Sequence, residues 1–162
     1  MRENYERTRD FVFQREGATI TDNPNDRGGL TARYGLTLKT MKTLKLDLDH
    51  DGDVDAQDVY LVDFNVVDRV FREKYWDAVH ADDLPGGVDL IMADIAWMSG
   101  PGKANQFRRE GHKSINALTD RRKRFYEAII ERDPTQAGFK NGWMNRASAA
   151  LREAQKCAGA AS

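Results

Sequence analysis

The chain has 162 residues and a formal net charge of −1 at pH 7, with 25 basic and 26 acidic side chains. This length suits one domain with a substantial core. A single cysteine, Cys157, excludes an intramolecular disulfide, so the fold must be stable when reduced. The charged N-terminus lacks a signal-peptide core, and no apolar run approaches the roughly 20 residues that span a bilayer. We therefore expect a monomer that is made in the cytoplasm, with no stable membrane insertion.

Apolar residues recur at helical spacing through most of the chain, which predicts a mainly α fold of six or seven helices. A first helix ends at Glu16, and Thr37 is placed to cap the next. One longer helix is predicted for residues 59–76, and an apolar central helix for residues 88–98. The later apolar stripes comprise Leu118, Phe125 and Ile129, and then Trp143, Ala147 and Leu151.

Gly and Pro residues mark where these helices end. The Ser99-Gly100-Pro101-Gly102 segment stops the central helix, and Pro101 suits the first turn of the following one. Asp133-Pro134 ends the next helix, and a last helix is expected after Asn141-Gly142.

Residues 17–35 are rich in Thr, Asn, Asp and Gly, which favours turns. An irregular loop is expected here, or a short hairpin that pairs Thr19-Ile20 with Leu30-Thr31. Long irregular loops in compact domains are usually functional. Glu16 faces this loop, and burial between core and cleft would favour its protonated form, as a glycosidase acid requires. Its position alone favours the alternative, in which Glu16 is a surface residue that ends a helix.

The loop contains a recognisable succession of residues: Glu16-Gly17, Asp22-Asn23-Pro24-Asn25-Asp26, Gly28-Gly29-Leu30-Thr31 and Tyr34-Gly35-Leu36-Thr37. It resembles the N-terminal signature of the N-acetylmuramidases of glycoside hydrolase family 108. Ala18 stands where a second glycine is usual, and Leu36 replaces isoleucine. The resemblance continues through Tyr75-Trp76, Asp83-Leu84-Pro85, Asp94, Ser99-Gly100-Pro101-Gly102, Gly142-Trp143 and Arg146.

This resemblance implies a single lysozyme-like domain over residues 1–162. Residues 1–80 would form its catalytic half, and residues 81–155 resemble the family's predicted peptidoglycan-binding region. The implied reaction is hydrolysis of the β-1,4 bond between N-acetylmuramic acid and N-acetylglucosamine in bacterial peptidoglycan, with Glu16 as general acid.

A second catalytic carboxylate is sought in the same loop, where Asp26 and Asp22 are candidates, although either can equally be a turn former. Thr31 is a further catalytic candidate. Tyr34 either lines the cleft or packs. The residues predicted to contact substrate are Asp22, Gly29 and Tyr34.

Residues 47–58 have the spacing of an EF-hand-type calcium loop. Gly52 supplies the sharp turn and Val54 the apolar anchor, while Asp55 acts through water. Asp58 stands where glutamate is usual, and its shorter side chain reaches less easily for bidentate contact. An acidic, solvated loop without metal is the alternative. The predicted ligands are Asp47, Asp49, Asp51, Asp53 through its carbonyl, and Asp58. Calcium is expected to be structural or regulatory, with no catalytic metal.

Basic residues are concentrated between Lys103 and Arg124, namely Arg108, Arg109, Lys113, Arg121, Arg122, Lys123 and Arg124. Because stacking aromatics and a nucleic-acid-binding motif are lacking, no nucleic-acid partner is expected, and the basic face is predicted to aid approach to an anionic cell envelope. The sequence thus favours an endolysin that reaches the wall after holin-type release. A calcium-dependent wall-binding module without catalysis is the alternative.

Overall fold

A computed structural model describes residues 2–17, 20–22 and 29–159. The fold is mainly α and lysozyme-like, as predicted. Among the described residues, no helix is long and apolar enough to cross a membrane. The described α-helices are α1 (Arg2–Glu16), α2 (Leu38–Leu44), α3 (Ala56–Leu61), α4 (Phe64–Phe71), α5 (Val88–Ser99), α6 (Pro101–Arg109), α7 (Ile115–Arg132) and α8 (Lys140–Gly159).

The chain packs into two compact units. Residues 9–71 form the first unit, which holds the second half of α1 together with α2, α3 and α4. Residues from Arg72 onward, joined by the start of α1 up to Thr8, form the second unit. α1 therefore contributes to both units, with the carboxylate of Glu16 at its C-terminal end in the 9–71 unit.

α5 forms the core of the second unit, and every residue from Val88 to Ala96 is buried. It packs against α6, α7 and α8. A helix that is apolar on all sides must be enclosed by other elements, which confirms the sequence-based expectation of a central helix. Pro101 opens α6 directly after the Gly100 turn, as its position in the sequence predicted.

One charged residue in this core, Asp94, is fully buried and bonded to two guanidinium groups. Arg122 Nη1 donates to Asp94 Oδ2 at 2.7 Å, and Arg146 Nη2 donates to Oδ1 at 2.7 Å. Burial by itself raises the pKa of Asp94, but the Arg146 and Arg122 guanidinium groups outweigh burial and hold that pKa below its usual range. Arg122 is only 1% exposed and also donates to Tyr126, so its assignment to a basic surface was wrong. Its charge is neutralised by Asp94 within the core.

The single helix expected over residues 59–76 is divided in the structure. α3 ends at Leu61, Val62 adopts an extended conformation, and the Asp63 carboxylate accepts the Val66 N–H at 2.9 Å. Such an N-cap bond satisfies a donor that a continuous helix would otherwise use, so a new helix starts here. The valine stripe continues across the break because Val62 remains buried. α4 is followed by a wider, π-helical turn over Arg72–Trp76.

The predicted cap of α2 is confirmed, since Thr37 Oγ1 accepts the Thr40 N–H at 3.1 Å. α8 begins at Lys140, earlier than expected, after a 3-10 helix over Pro134–Phe139. That 3-10 segment begins at the proline predicted to end the preceding helix. Asp133 caps it by accepting the Thr135 N–H.

The 17–35 loop carries isolated bridges in place of a regular hairpin. Thr31 pairs antiparallel with Thr21 on one side and with Thr37 on the other. The Thr21 and Thr31 amides donate to each other's carbonyls at 2.9 and 2.8 Å. Thr19, proposed for the hairpin, lies outside the described residues, as does Asp26. The bridges connect this loop directly to the start of α2.

Candidate active site and acidic loop

Glu16 is the last residue of α1, and its half-buried side chain packs on the backbone of Gly35. A Cβ atom at Gly35 would lie 2.8 Å from both Cγ and Cδ of Glu16, closer than two carbon atoms can approach. Gly35 also has a φ of +84°, a conformation that disfavours any side chain. The positive φ favours glycine here, and the side chain of Glu16 uses the space that a Cβ atom would take.

A backbone hydrogen bond joins the end of α1 to the turn that contains Gly35. Gly17, with a φ of +74°, ends the helix, and its carbonyl accepts the Tyr34 N–H at 2.8 Å. Tyr34 itself has a φ of +64°, which is uncommon for a residue with a side chain. Strained backbone of this kind costs about 1–3 kcal/mol and tends to cluster at functional sites. The surrounding bonds hold Glu16 and the Arg33–Gly35 turn in one arrangement.

The ring of Tyr34 contributes to an aromatic cluster of the 9–71 unit. Its centroid lies 5.4 Å from that of Phe13 and 5.9 Å from that of Phe64. Phe64 is 40% exposed, so the cluster reaches the surface. Of the two roles considered for Tyr34, packing is the one these contacts describe, and substrate contact stays a prediction.

The other residues predicted from the loop fall on its bridged segment. Thr31 Oγ1 donates to the Gly29 carbonyl at 3.2 Å, and Gly29 has a φ of +74° with open space around its Cα. Asp22 directly follows the bridged Thr21 and is exposed. The Thr21–Thr31 bridge brings the two segments that carry Asp22 and Thr31 together, and the catalytic and substrate roles of Thr31, Gly29 and Asp22 stay predictions.

Residues 47–58 comprise the loop between α2 and α3 and the first turn of α3, and their aspartates converge. One ligand atom from each of Asp47, Asp49 and Asp58 lies within 4.8 Å of the others, and the same holds for Asp53, Asp55 and Asp58. Oxygens on opposite sides of a Ca²⁺ ion lie about 5 Å apart, since each binds at roughly 2.4 Å. The convergence therefore matches the dimensions of a calcium site.

Backbone amides organise the acidic loop around Asp58, which has no exposed surface. Asp58 Oδ1 accepts the Leu48 N–H at 2.6 Å, and Oδ2 accepts the Asp55 N–H at 2.8 Å. These bonds, with that of Asp55 the strongest, lower the pKa of Asp58. Gly52 has a φ of +101° and donates to Asp47 Oδ2 at 3.0 Å, which places the sharp turn where the sequence predicted it.

Several carboxylates in this loop carry negative charge that the protein's own hydrogen bonds balance only in part. Asp47 Oδ1 is buried without a hydrogen-bond partner. Repulsion from Asp51 is the main cause that raises the pKa of Asp53, and desolvation is the main cause that raises the pKa of Asp49. Asp51 lies outside both converging groups, and its Oδ1 accepts the Asp53 N–H. A cation would relieve both the repulsion and the unpaired oxygen.

Sequence reasoning missed the contact between Gly35 and Glu16, although both belonged to the recognised motif. A glycine that follows an aromatic residue carries no sign that it makes room for a side chain 19 positions earlier. It also missed the partners of Asp94. The signal available was a buried aspartate in an apolar helix, which requires a cationic partner elsewhere.

The described helices give a mainly α, lysozyme-like fold, and the family match identifies the protein as a glycoside hydrolase. Residues 9–100 match the family model described as glycosyl hydrolase 108, and the chain belongs to that family. Residues 104–148 match a model described as a predicted peptidoglycan domain, which identifies peptidoglycan as the polymer on which the enzyme acts.

The fold is similar to that in a structure of Brucella abortus SagA, with a TM-score of 0.81 and 26% sequence identity. The similarity covers 98% of this chain and 97% of that one. The comparison with curated proteins gives no match.

Proposed function

We propose that this protein is an endolysin-type N-acetylmuramidase that cleaves the β-1,4 bond between N-acetylmuramic acid and N-acetylglucosamine, with Glu16 as general acid. The observation that carries the proposal is the packing of the Glu16 carboxyl group on Gly35, within the part of the chain that matches the hydrolase family. A carboxyl group held in one position can protonate the departing glycosidic oxygen as the oxocarbenium-like transition state develops.

The residues around Glu16 set its position at the end of α1. Gly17 ends the helix and binds the Tyr34 amide, and Gly35 forms one wall of the space that holds the carboxyl group. Asp22, Asp26 and Thr31 remain the predicted candidates for the group that directs water or stabilises positive charge on the sugar.

The test digests purified peptidoglycan with the wild-type protein and with the Glu16→Gln variant and identifies the new chain ends by mass spectrometry. We expect muramic-acid reducing ends from the wild type and a loss of at least about 100-fold in their rate of formation with the variant. Asp10→Asn is the matched control, because Asp10 is an exposed carboxylate on the same helix and pairs with the neighbouring Arg9 at 2.9 Å.

Other products would distinguish the alternatives. Glucosamine reducing ends would assign a different glycosidic bond, and new amino groups would assign an amidase or peptidase. Wall binding without any cleavage, by wild type and variant alike, would favour the non-catalytic wall-binding module.

The proposed biological setting is synthesis in the host cytoplasm followed by action on the wall after holin-type release. Expression in a bacterial host with and without a holin tests this setting. Lysis should require both proteins, whereas lysis without the holin would point to another route across the membrane.

We further propose that the 47–58 loop binds calcium, which stabilises the 9–71 unit. Asp47, Asp49 and Asp58 supply side-chain oxygens, and Asp53 and Asp55 form a second group of close oxygens that shares Asp58. The buried, unpaired Oδ1 of Asp47 supports this proposal, because an oxygen removed from both water and hydrogen-bond donors is stabilised by a cation.

Thermal denaturation in calcium, in magnesium and in a chelator tests the loop. Calcium at about 100 times its dissociation constant should stabilise the protein by about 2.7 kcal/mol. Asp49→Asn should weaken this response. Asp63→Asn is the matched control, since Asp63 lies outside the loop and asparagine preserves its capping bond. Identical melting in calcium and in chelator would remove calcium from the proposal.

A further inference from the structure

The second unit contains an open cleft of about 430 Å³ that is lined mainly by basic side chains. This volume falls within the range of roughly 300–1,000 Å³ that is usual for small-molecule sites. Arg109 and Lys113 are exposed, and Arg108 is half-buried, so their charges face solvent. The lining residues are His80, Asn105, Arg108, Arg109 and Lys113.

The cleft is held in shape by the elements that border it. Asn105 Nδ2, on α6, donates to the Ala78 carbonyl at 3.0 Å and fixes that helix against the 3-10 turn over Asp77–Val79. His80 follows this turn in a left-handed conformation, with a φ of +53°. The basic residues lie at the end of α6 and just beyond it, where the Gly111 turn redirects the chain.

These cations are not neutralised by the acidic residue nearest to them in sequence. Glu110 accepts Arg121 Nε at 2.7 Å and Gln106 Nε2 at 2.7 Å, which lowers the pKa of its carboxyl group. Across residues 2–17, 20–22 and 29–159, no ion pair involves Arg108, Arg109 or Lys113. Cations at a helix C-terminus gain some stability from the helix dipole, but that effect does not require three of them around one cleft.

We propose that this cleft binds free carboxylate groups of the peptide stems that branch from the glycan strand. The inference rests on the proposed action on peptidoglycan and adds a substrate feature to it. Guanidinium groups bind carboxylates through paired hydrogen bonds, and the stem peptides carry several carboxylates while the sugar backbone is mostly neutral. Four of the five lining residues also fall within the stretch that matches the peptidoglycan model.

Binding is measured with the Glu16→Gln protein, so that turnover cannot interfere. The probe is the tripeptide L-Ala-γ-D-Glu-meso-diaminopimelic acid, compared with the same peptide in fully amidated form. The free acid should bind and the amidated form should not. The double variant Arg108→Gln/Arg109→Gln should weaken binding by at least about tenfold, and binding should weaken further as salt rises.

Arg124→Gln is the matched control, because Arg124 is an exposed residue of α7 that does not line the cleft. It should bind the tripeptide as the parent protein does. Lys113→Gln, in the loop after α6, provides a second test should the double variant fold poorly.

Equal binding of free and amidated peptide, or unchanged binding by the double variant, would overturn the proposal. Arginine-dependent binding to phosphatidylglycerol vesicles without binding to the tripeptide would also overturn it and assign the cleft to a phosphate-bearing surface. Cleavage kinetics separate this inference from the proposed function. For kinetics the double variant is made in the active protein, which retains Glu16. It should show a raised KM on intact peptidoglycan and an unchanged KM on glycan strands freed of peptide. Tripeptide binding without cleavage of either substrate would retain the cleft and reject the muramidase.

Discussion

Replacing Gly35 by alanine tests whether the position of Glu16 determines activity. The new methyl group would lie 2.8 Å from Cγ and Cδ of Glu16, so the carboxyl group or the turn must move. The left-handed backbone adds about 1–2 kcal/mol of strain. For a chain of this size the melting temperature should fall by about 2–8 °C. A displacement of about 1 Å at a catalytic group can cost roughly 100-fold in rate, and we expect a loss of this order in kcat.

The assay measures reducing ends released from peptidoglycan at a temperature where both proteins are folded. Gly100→Ala is the control, because Gly100 has a φ of +88° and an added Cβ would meet nothing within 4 Å. This control should be destabilised by its own positive φ and yet keep its kcat. If Gly35→Ala cleaves at the wild-type rate, or if Gly100→Ala loses as much activity, Glu16 does not act through the position seen here.

Three further predictions concern stability. Asp94→Asn should destabilise the protein at pH 7 by about 3–5 kcal/mol, because it leaves two buried guanidinium groups without their carboxylate, and denaturant titration measures the loss. The folded protein lowers the pKa of Asp94, so the wild type should lose stability as pH falls below about 3.9, the pKa of an aspartate in the unfolded chain. The loss should reach at most about 1.4 kcal/mol per pH unit, and Asp94→Asn should lack this contribution to the pH dependence. Thr37→Ala should cost about 1 kcal/mol through loss of the α2 cap, while Thr43→Ala, at an exposed position of the same helix, should cost less.

Structural features that depend on residues close in sequence were predicted well. The cap at Thr37, the start of α6 at Pro101 and the turn at Gly52 each follow from one residue's own conformational preference. The central helix α5 was predictable for a related reason, since a run of apolar residues has to be enclosed by other elements.

Features that depend on distant partners were not predictable in this way. Asp94 meets Arg122 and Arg146 across 28 and 52 positions, and nothing local distinguishes the buried Arg122 from the exposed basic residues beside it. The break after Leu61 was missed for a different reason. The apolar stripe continues through it and gives no sign of the Asp63 cap that starts α4.

At the candidate site, the motif predicted Glu16 because the residue type and its succession of neighbours are distinctive. The motif did not indicate how the carboxyl group is held, since the contact with Gly35 depends on the path of the loop between them. The calcium loop is an intermediate case. Its spacing predicted the helix-flanked loop and the convergence of aspartates, while the burial of Asp58 became evident only in the structure.

The ion pairs of Asp94 limit how this enzyme can be recombined with others. The two family matches meet between residues 100 and 104, which invites an exchange of wall-targeting segments at that junction. Asp94 lies before the junction, whereas Arg122 and Arg146 lie after it. In a chimera joined there, one parent would supply the carboxylate of Asp94, and the other parent would have to supply the guanidinium groups that pair with it. Stable chimeras therefore need donors that carry the matching charges, and segments chosen only for their wall preference should lose about 3–5 kcal/mol of stability.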